Sequence, residues 1–324
     1  MDVLKSFDPG RAMFEEYLDS SLYPARLMIG ETHSLQDALA SGQLALDSRL
    51  LVFEHEQILY AFPMTVVLSY NVIQGQIGDQ HWMMTFCNAC NTGMVFDPVV
   101  DGKMLHFQRR GSYDGLLLIW DEETNSYWQH VTGQCLYGAS VGQRLGILTT
   151  TRQMTVAEVL ARTNASVLLT STLSPEQEKL SRMMEKMRAN PEKVEAGIAS
   201  TIGVEDTRRP RFELGLGVWN LTGSTFFPLT MLYADDRALM TRFDDRPLLI
   251  YQHPDAVAPV AAYLETHRAV WEGEILRLDK GAYIQNDTLF GVDGHPQPLE
   301  RPMQLLMRWY GFALTFPGCS LPSF

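Results

Sequence analysis

The chain has 324 residues, 46% hydrophobic and 20% charged, a globular composition long enough for about two units of roughly 150 residues and for a core that needs no disulfide stapling. Its 26 Lys and Arg stand against 38 Asp and Glu, a formal charge of −12 that repels phosphate backbones and argues against nucleic acid as a partner. Residues 1–19 lack the apolar stretch of a secretory signal and no window holds 18 uninterrupted apolar residues, so the expectation is a soluble, cytoplasmic protein without a membrane span, its Cys87, Cys90, Cys135 and Cys319 kept reduced.

Asp8-Pro9 places a capping residue before a proline, and Met13, Phe14, Tyr17 and Leu18 recur at helical spacing, which predicts a short amphipathic helix. A second helix is expected from Ser34, with Asp37 three residues after the cap and Leu35, Ala38 and Leu39 as its apolar stripe. From about 50 to 148, short β-branched and aromatic runs alternate with glycine turns, which predicts strands at 50–53, 58–62, 81–86, 94–96, 104–108, 116–120 and 127–131. The run 60–67, interrupted by Pro63, reads as a buried strand. Asp101-Gly102 marks a hairpin, because glycine accepts the positive φ that such turns need.

A helical connector follows. Thr155 and Glu158 form a capping box for a helix over 155–162, and Ser174-Pro175-Glu176-Gln177 opens another, ended by Asn190-Pro191. Its Leu180, Met183, Met184 and Met187 share one face and read as core packing. The basic run Arg208-Arg209-Pro210-Arg211 reads as a solvated loop. Strands return at 214–219, 226–232, 247–251, 274–278 and 289–292. Two echoes suggest duplication: 60–65 parallels 225–230, and 79–84 parallels 245–250. The second copy has no cysteine pair.

The expected fold is therefore mainly β (α+β), with two related β-rich units joined by a helical connector. The bounds are an N-terminal helical segment at 1–49, a first β-rich unit carrying the cysteines at 50–150, the connector at 151–210 and a second unit at 211–324. Sandwich and partly open barrel suit this pattern equally.

The chemistry concentrates in Cys87-Asn88-Ala89-Cys90, two thiols that can share a metal or close a small disulfide. A thioredoxin-like pair needs a helix after it, whereas here Thr92-Gly93-Met94-Val95-Phe96 continues as β structure, the setting of a metal knuckle. One knuckle gives two ligands, and further ones must come from His81, His106, His130 or Cys135. His130 and Cys135 flank the turn Thr132-Gly133-Gln134, and His130 could alternatively serve as base to a cysteine nucleophile. Asp114, Asp121, Glu122 and Glu123 are ordinary turn carboxylates, and no acid–base pair is assigned among them. Phosphate-loop and zinc-protease signatures are absent from the sequence.

The succession Thr85-Phe86-Cys87-Asn88-Ala89-Cys90-Asn91-Thr92-Gly93-Met94-Val95-Phe96, then Val100-Asp101-Gly102, Thr124-Asn125-Ser126-Tyr127-Trp128-Gln129 and Thr132-Gly133 resembles the bacterial and archaeal family catalogued as domain of unknown function 3179. The resemblance continues through Gly138 and Gly142-Gln143-Arg144-Leu145 and includes Trp309-Tyr310-Gly311-Phe312-Ala313. It implies kinship and no established reaction. His130 stands where many relatives carry glutamine, and Cys135 occupies a small-residue position, so the ligands are read from this chain alone. Many relatives look exported or lipid-anchored, and localisation is not carried over.

The leading expectation is a thiol-dependent protein whose Cys87, Cys90 and His130 bind zinc or cuprous copper. The alternatives are a non-catalytic scaffold or partner-binding module with structural cysteines, and a redox protein cycling a Cys87–Cys90 disulfide.

Overall fold

The computed structural model describes residues 7–14, 26–29, 32–162 and 165–322, so the expected helical positions Tyr17 and Leu18 lie outside the described residues. It is mainly β, built from several sheets with short helices between them. Asp8 does cap, accepting from the Gly10 amide at 2.9 Å, but the turn Pro9–Arg11 is a single 3₁₀ turn. The expected helix over Met13 and Phe14 is corrected: Ala12–Phe14 is a strand paired antiparallel with Phe107–Tyr113. A sheet edge supplies every second residue with ladder bonds, which outweighs a marginal local helix. The helix Leu35–Ala40 forms as expected, with Ser34 Oγ accepting from the Asp37 amide at 3.3 Å.

Three five-stranded sheets hold most of the first half. In one, Phe107–Tyr113, Leu116–Asp121, Tyr127–Gln129 and Cys135–Tyr137 follow Ala12–Phe14 as an antiparallel meander. A second runs Gly146–Thr150, Thr92–Asp97, Gln80–Cys87, Val72–Ile77 and then Leu27–Met28, the last pair parallel. The third carries Arg152–Thr155, Arg49–His55, Ile58–Pro63, Ser166–Leu169 and Thr32–His33. Asp101-Gly102 turns between Val99–Val100 and Lys103–Met104 with φ of 50° and 75°, the doubly positive geometry of a tight hairpin.

The run expected as one strand over 60–67 is two elements. Strand Ile58–Pro63 ends at its proline, which has no amide to continue the ladder, and Met64–Tyr70 turns into a helix in which every residue except Thr65 is buried. A fully buried apolar run carries no periodicity to separate the two states. Asn71 stops the helix at φ 61°, its amide donating to Val67 O at 2.8 Å. The second half repeats this local order. Strand Ser224–Pro228 ends at its proline, helix Leu229–Ala234 replaces the expected strand continuation to 232, and the hairpin of Ala238–Phe243 with Arg246–Tyr251 follows.

Between them, Thr155 and Glu158 exchange both capping bonds at the start of helix Val156–Arg162. Ser174 and Gln177 do the same for helix Pro175–Arg188. Of the methionine face, Met184 packs on the core while Met183 is exposed. The main core gathers Cys87, Cys90, Phe107 and Trp128 with Trp219, Phe226, Leu305, Trp309 and Phe312, so early and late chain segments share one apolar interior. Among the described residues, no helix is long and apolar enough to cross a membrane.

Candidate metal centre

Strand Gln80–Cys87 delivers Cys87 at its last position, and strand Thr92–Asp97 returns antiparallel, with Thr92 opposite Cys87. Asn91 closes the intervening turn at φ 66°, a left-handed conformation asparagine tolerates, and its amide donates to Cys87 O at 2.9 Å. The Cys90 amide donates to Cys87 Sγ at 3.3 Å, so the turn aims a backbone dipole at the first sulfur. The strand-turn-strand setting of the two cysteines is the expected one.

His130 enters from the turn after strand Tyr127–Gln129. Its carbonyl accepts from Thr85 Oγ1 at 3.2 Å, which ties the histidine to the strand that carries Cys87. Its Nε2 lies 3.5 Å from Cys90 Sγ. The ligand atoms of Cys87, Cys90 and His130 all fall within 4.8 Å of one another, and all three residues are buried. Tetrahedral zinc, with bonds of roughly 2.3 Å to sulfur and 2.0 Å to nitrogen, separates S from N by about 3.5 Å and S from S by about 3.8 Å. The three groups are therefore spaced for one ion.

The site has a sealed side and an open side. Arg308 clamps the turn from above, its amide donating to Cys90 O at 3.0 Å and its Nη1 to Ala89 O at 2.9 Å. The helix Trp309–Thr315 starts there and lies so close that a Cβ on Gly311 would stand 2.9 Å from Cys90 Cβ. Cys87 instead borders a cleft of about 190 Å³ lined by Met184, Met187, Arg109 and Arg188. Arg188 Nη1 donates to Asn91 Oδ1 at 2.6 Å, and Arg109 Nη1 donates to Asn71 Oδ1 at 2.8 Å. Asn71 passes the link on, its Nδ2 donating to Phe86 O at 2.9 Å.

These surroundings polarise the two thiols. Burial alone would push Cys87 up, but hydrogen bonds from Cys90 and His130, with the imidazole's charge, bring it well below the ordinary thiol range. Cys90, buried and facing the Cys87 sulfur, is pushed well above that range. The pair thus favours one shared negative charge. Burial, then the charge of the two cysteines, also drives the Tyr310 phenol well up, so it stays neutral and donates to Gly115 O at 2.9 Å.

The structure brings together Cys87, Cys90 and His130 and leaves the other candidates elsewhere. Cys135 sits in its own strand with Sγ 3.5 Å from Tyr137 O, its thiol raised by burial to about 11. His106 Nδ1 lies 2.6 Å from Glu123, and His81 stays on its strand, outside the group. The carboxylates have structural partners: Asp114 pairs with Arg11, Asp121 accepts from Trp128 Nε1 at 2.7 Å, and Glu122 pairs with Arg26 at 2.7 Å. Sequence reasoning missed Asn71, Arg109, Arg188 and Arg308, whose roles depend on neighbours distant in the chain. The Trp309-Tyr310-Gly311 motif was the one signal pointing toward the covering helix.

No curated protein and no solved structure matches the chain. The profile of the family described as "Protein of unknown function (DUF3179)" matches residues 30–272, which include the whole of the cysteine knuckle and His130. With most of its length covered by that match, the chain belongs to the DUF3179 family.

Proposed function

We propose that the protein binds one soft transition metal, Zn(II) or Cu(I), through Cys87 Sγ, Cys90 Sγ and His130 Nε2, leaving one position open toward the cleft beside Cys87. The observation that carries this reading is the convergence of three ligand atoms within 4.8 Å from two separate turns. Two thiolates and one imidazole suit both ions, and three protein ligands with a vacancy make an exchangeable site rather than a closed structural one. The ion would supply Lewis acidity or thiolate-bound reactivity to a small molecule entering between Arg109 and Arg188. In this reading the site belongs to the first of two related β-rich units, 50–150 and 211–324, joined by the connector 151–210. The repeated strand, proline, helix and hairpin order supports that division, and a reducing cytoplasm would suit the free thiols.

Elemental analysis of untagged protein, repeated after chelation and reloading with Zn(II) or, anaerobically, Cu(I), tests the proposal. About one equivalent is expected in the native chain and less than about a tenth in Cys87→Ser and His130→Ala. Retention of metal by both variants, or none in the native chain, rules it out.

One observation favours a second reading. Cys87 faces the cleft while Cys90 is sealed beneath Gly311, the division between attacking and resolving thiols. In a redox role the pair would lose two electrons and two protons to an incoming disulfide and close a Cys87–Cys90 bond. Equilibration in glutathione buffers, with masses read after alkylation, would then show a reversible loss of two alkylation sites. Metal loading protects the same two sites without oxidation, so a chelation step separates the readings.

A further inference from the structure

A second cavity, of about 290 Å³, borders the knuckle at Phe86, Asn91 and Thr92 and carries a charge arrangement the cysteines do not use. Three arginines from distant segments line it: Arg152 opens strand Arg152–Thr155, Arg162 ends helix Val156–Arg162, and Arg301 precedes strand Met303–Arg308. Asp287 is the carboxylate that gathers them. It sits at φ 61° in the turn between Tyr283–Gln285 and Thr288–Phe290, and its Oδ2 takes Arg152 Nη1 at 2.5 Å and Arg162 Nη2. Arg301 Nη2 reaches Asp287 through the backbone oxygen at 2.9 Å and Tyr251 Oη at 3.2 Å.

Asp287 stands behind the arginines, lining a neighbouring pocket and not this one. Among the described residues, the one carboxylate on this cavity's wall is Glu54, and it is exposed. Among the described residues, Arg152 Nε and Arg301 Nη1 are buried with no hydrogen-bond acceptor. Buried donors on charged groups are almost always satisfied, so two orphans on neighbouring guanidinium groups point to an absent acceptor. Several neutral polar groups of the wall are engaged: Gln304 bonds both ways to Ala261, Thr151 donates to Gly93 O at 2.9 Å and Gln153 donates to Asn91 O at 3.1 Å. The wall also carries Asn91, Thr92, Thr149 and Thr150, together with an apolar stretch of Phe53, Leu216, Val260 and Met303.

We infer that this cavity binds a small organic anion, its carboxylate or phosphate held by Arg152, Arg162 and Arg301 and its apolar body lying against Phe53, Leu216, Val260 and Met303. Guanidinium forks match the geometry of both oxyanions, and the apolar stretch beside them offers contact to an organic body that a bare inorganic ion lacks. The site is independent of metal binding at Cys87.

Titration calorimetry of the full chain at low salt, with octanoate and acetate as probes, tests the inference. Octanoate is expected to saturate with a Kd below about 1 mM, at least about tenfold tighter than acetate, and Arg301→Gln is expected to weaken it by at least about tenfold. Equal affinity for the two probes, no binding up to about 10 mM, or a folded Arg301→Gln that binds normally overturns it. Should that variant not fold, phenylglyoxal labelling of the native chain decides. Octanoate must shield Arg152, Arg162 and Arg301, and shielding of Arg109 and Arg188 instead would place the ligand in the cleft by Cys87 and refute the assignment.

Discussion

Gly93 shows how little freedom the knuckle leaves a single residue. A Cβ at this position would stand 2.0 Å from Thr85 O, backbone that cannot move without breaking the strand pair holding Cys87. Gly93→Ala should therefore cost more than a cavity-scale defect, about 3 kcal/mol or more, read as a shift in the urea midpoint or as insoluble expression. Asp287 is the other residue on which much depends. Burial would raise its carboxyl, but Arg152, Arg162 and Arg301 hold it well below the usual carboxylate range. Removing its charge strands the arginines together, so Asp287→Asn should destabilise by about 3–5 kcal/mol at neutral pH. Because the folded pKa is depressed, that contribution is complete above the unfolded value near 3.9 and is lost as pH falls through the folded value. Denaturation midpoints of native chain and variant should thus converge as pH drops below about 4, and a gap that stays constant would refute the pairing.

Elements here are held by their ends and by close approach. The helix Pro175–Arg188, which lines the cleft with Met184, Met187 and Arg188, begins with a complete capping box. Ser174→Ala should cost about 1 kcal/mol of stability by thermal melt, with faster amide exchange confined to its first turn. The covering helix Trp309–Thr315 is seated differently. Gly311 lets it approach Cys90, and a methyl there would meet Met307 Cε at 2.6 Å as well as Cys90 Cβ at 2.9 Å. Gly311→Ala should lift this helix, lowering stability by about 1–3 kcal/mol and speeding alkylation of Cys90 relative to Cys87. An unchanged ratio of alkylation rates would mean that the helix does not seal the second thiol.

At the scale of the whole molecule, the matched family segment stops at residue 272, yet Arg308 and Gly311 cover the knuckle and the core around it contains Trp309 and Phe312. A chain ended at 272 would expose that core and the Cys90 carbonyl's side of the turn. It should fail to fold or should bind dyes for exposed apolar surface, and its three remaining cysteines, Cys87, Cys90 and Cys135, should react together with thiol reagents in place of the slow reaction expected of buried thiols.

What the sequence could determine by itself was local. Caps at Ser34, Thr155 and Ser174, the Asp101-Gly102 turn and the β setting of Cys87 and Cys90 rest on bonds between residues a few positions apart, and each is present in the fold. Period-2 and period-3.6 patterns are equally local, and they fail where burial is complete, as in Met64–Tyr70, or where a partner strand competes, as at Ala12–Phe14. The sequence favoured His130 beside the cysteines, but only the tertiary structure left His81, His106 and Cys135 outside the group, set Arg308 and Gly311 over Cys90, and drew Arg152, Arg162 and Arg301 around Asp287. Those choices follow from strand register and packing between segments up to 219 positions apart, which composition and spacing do not encode.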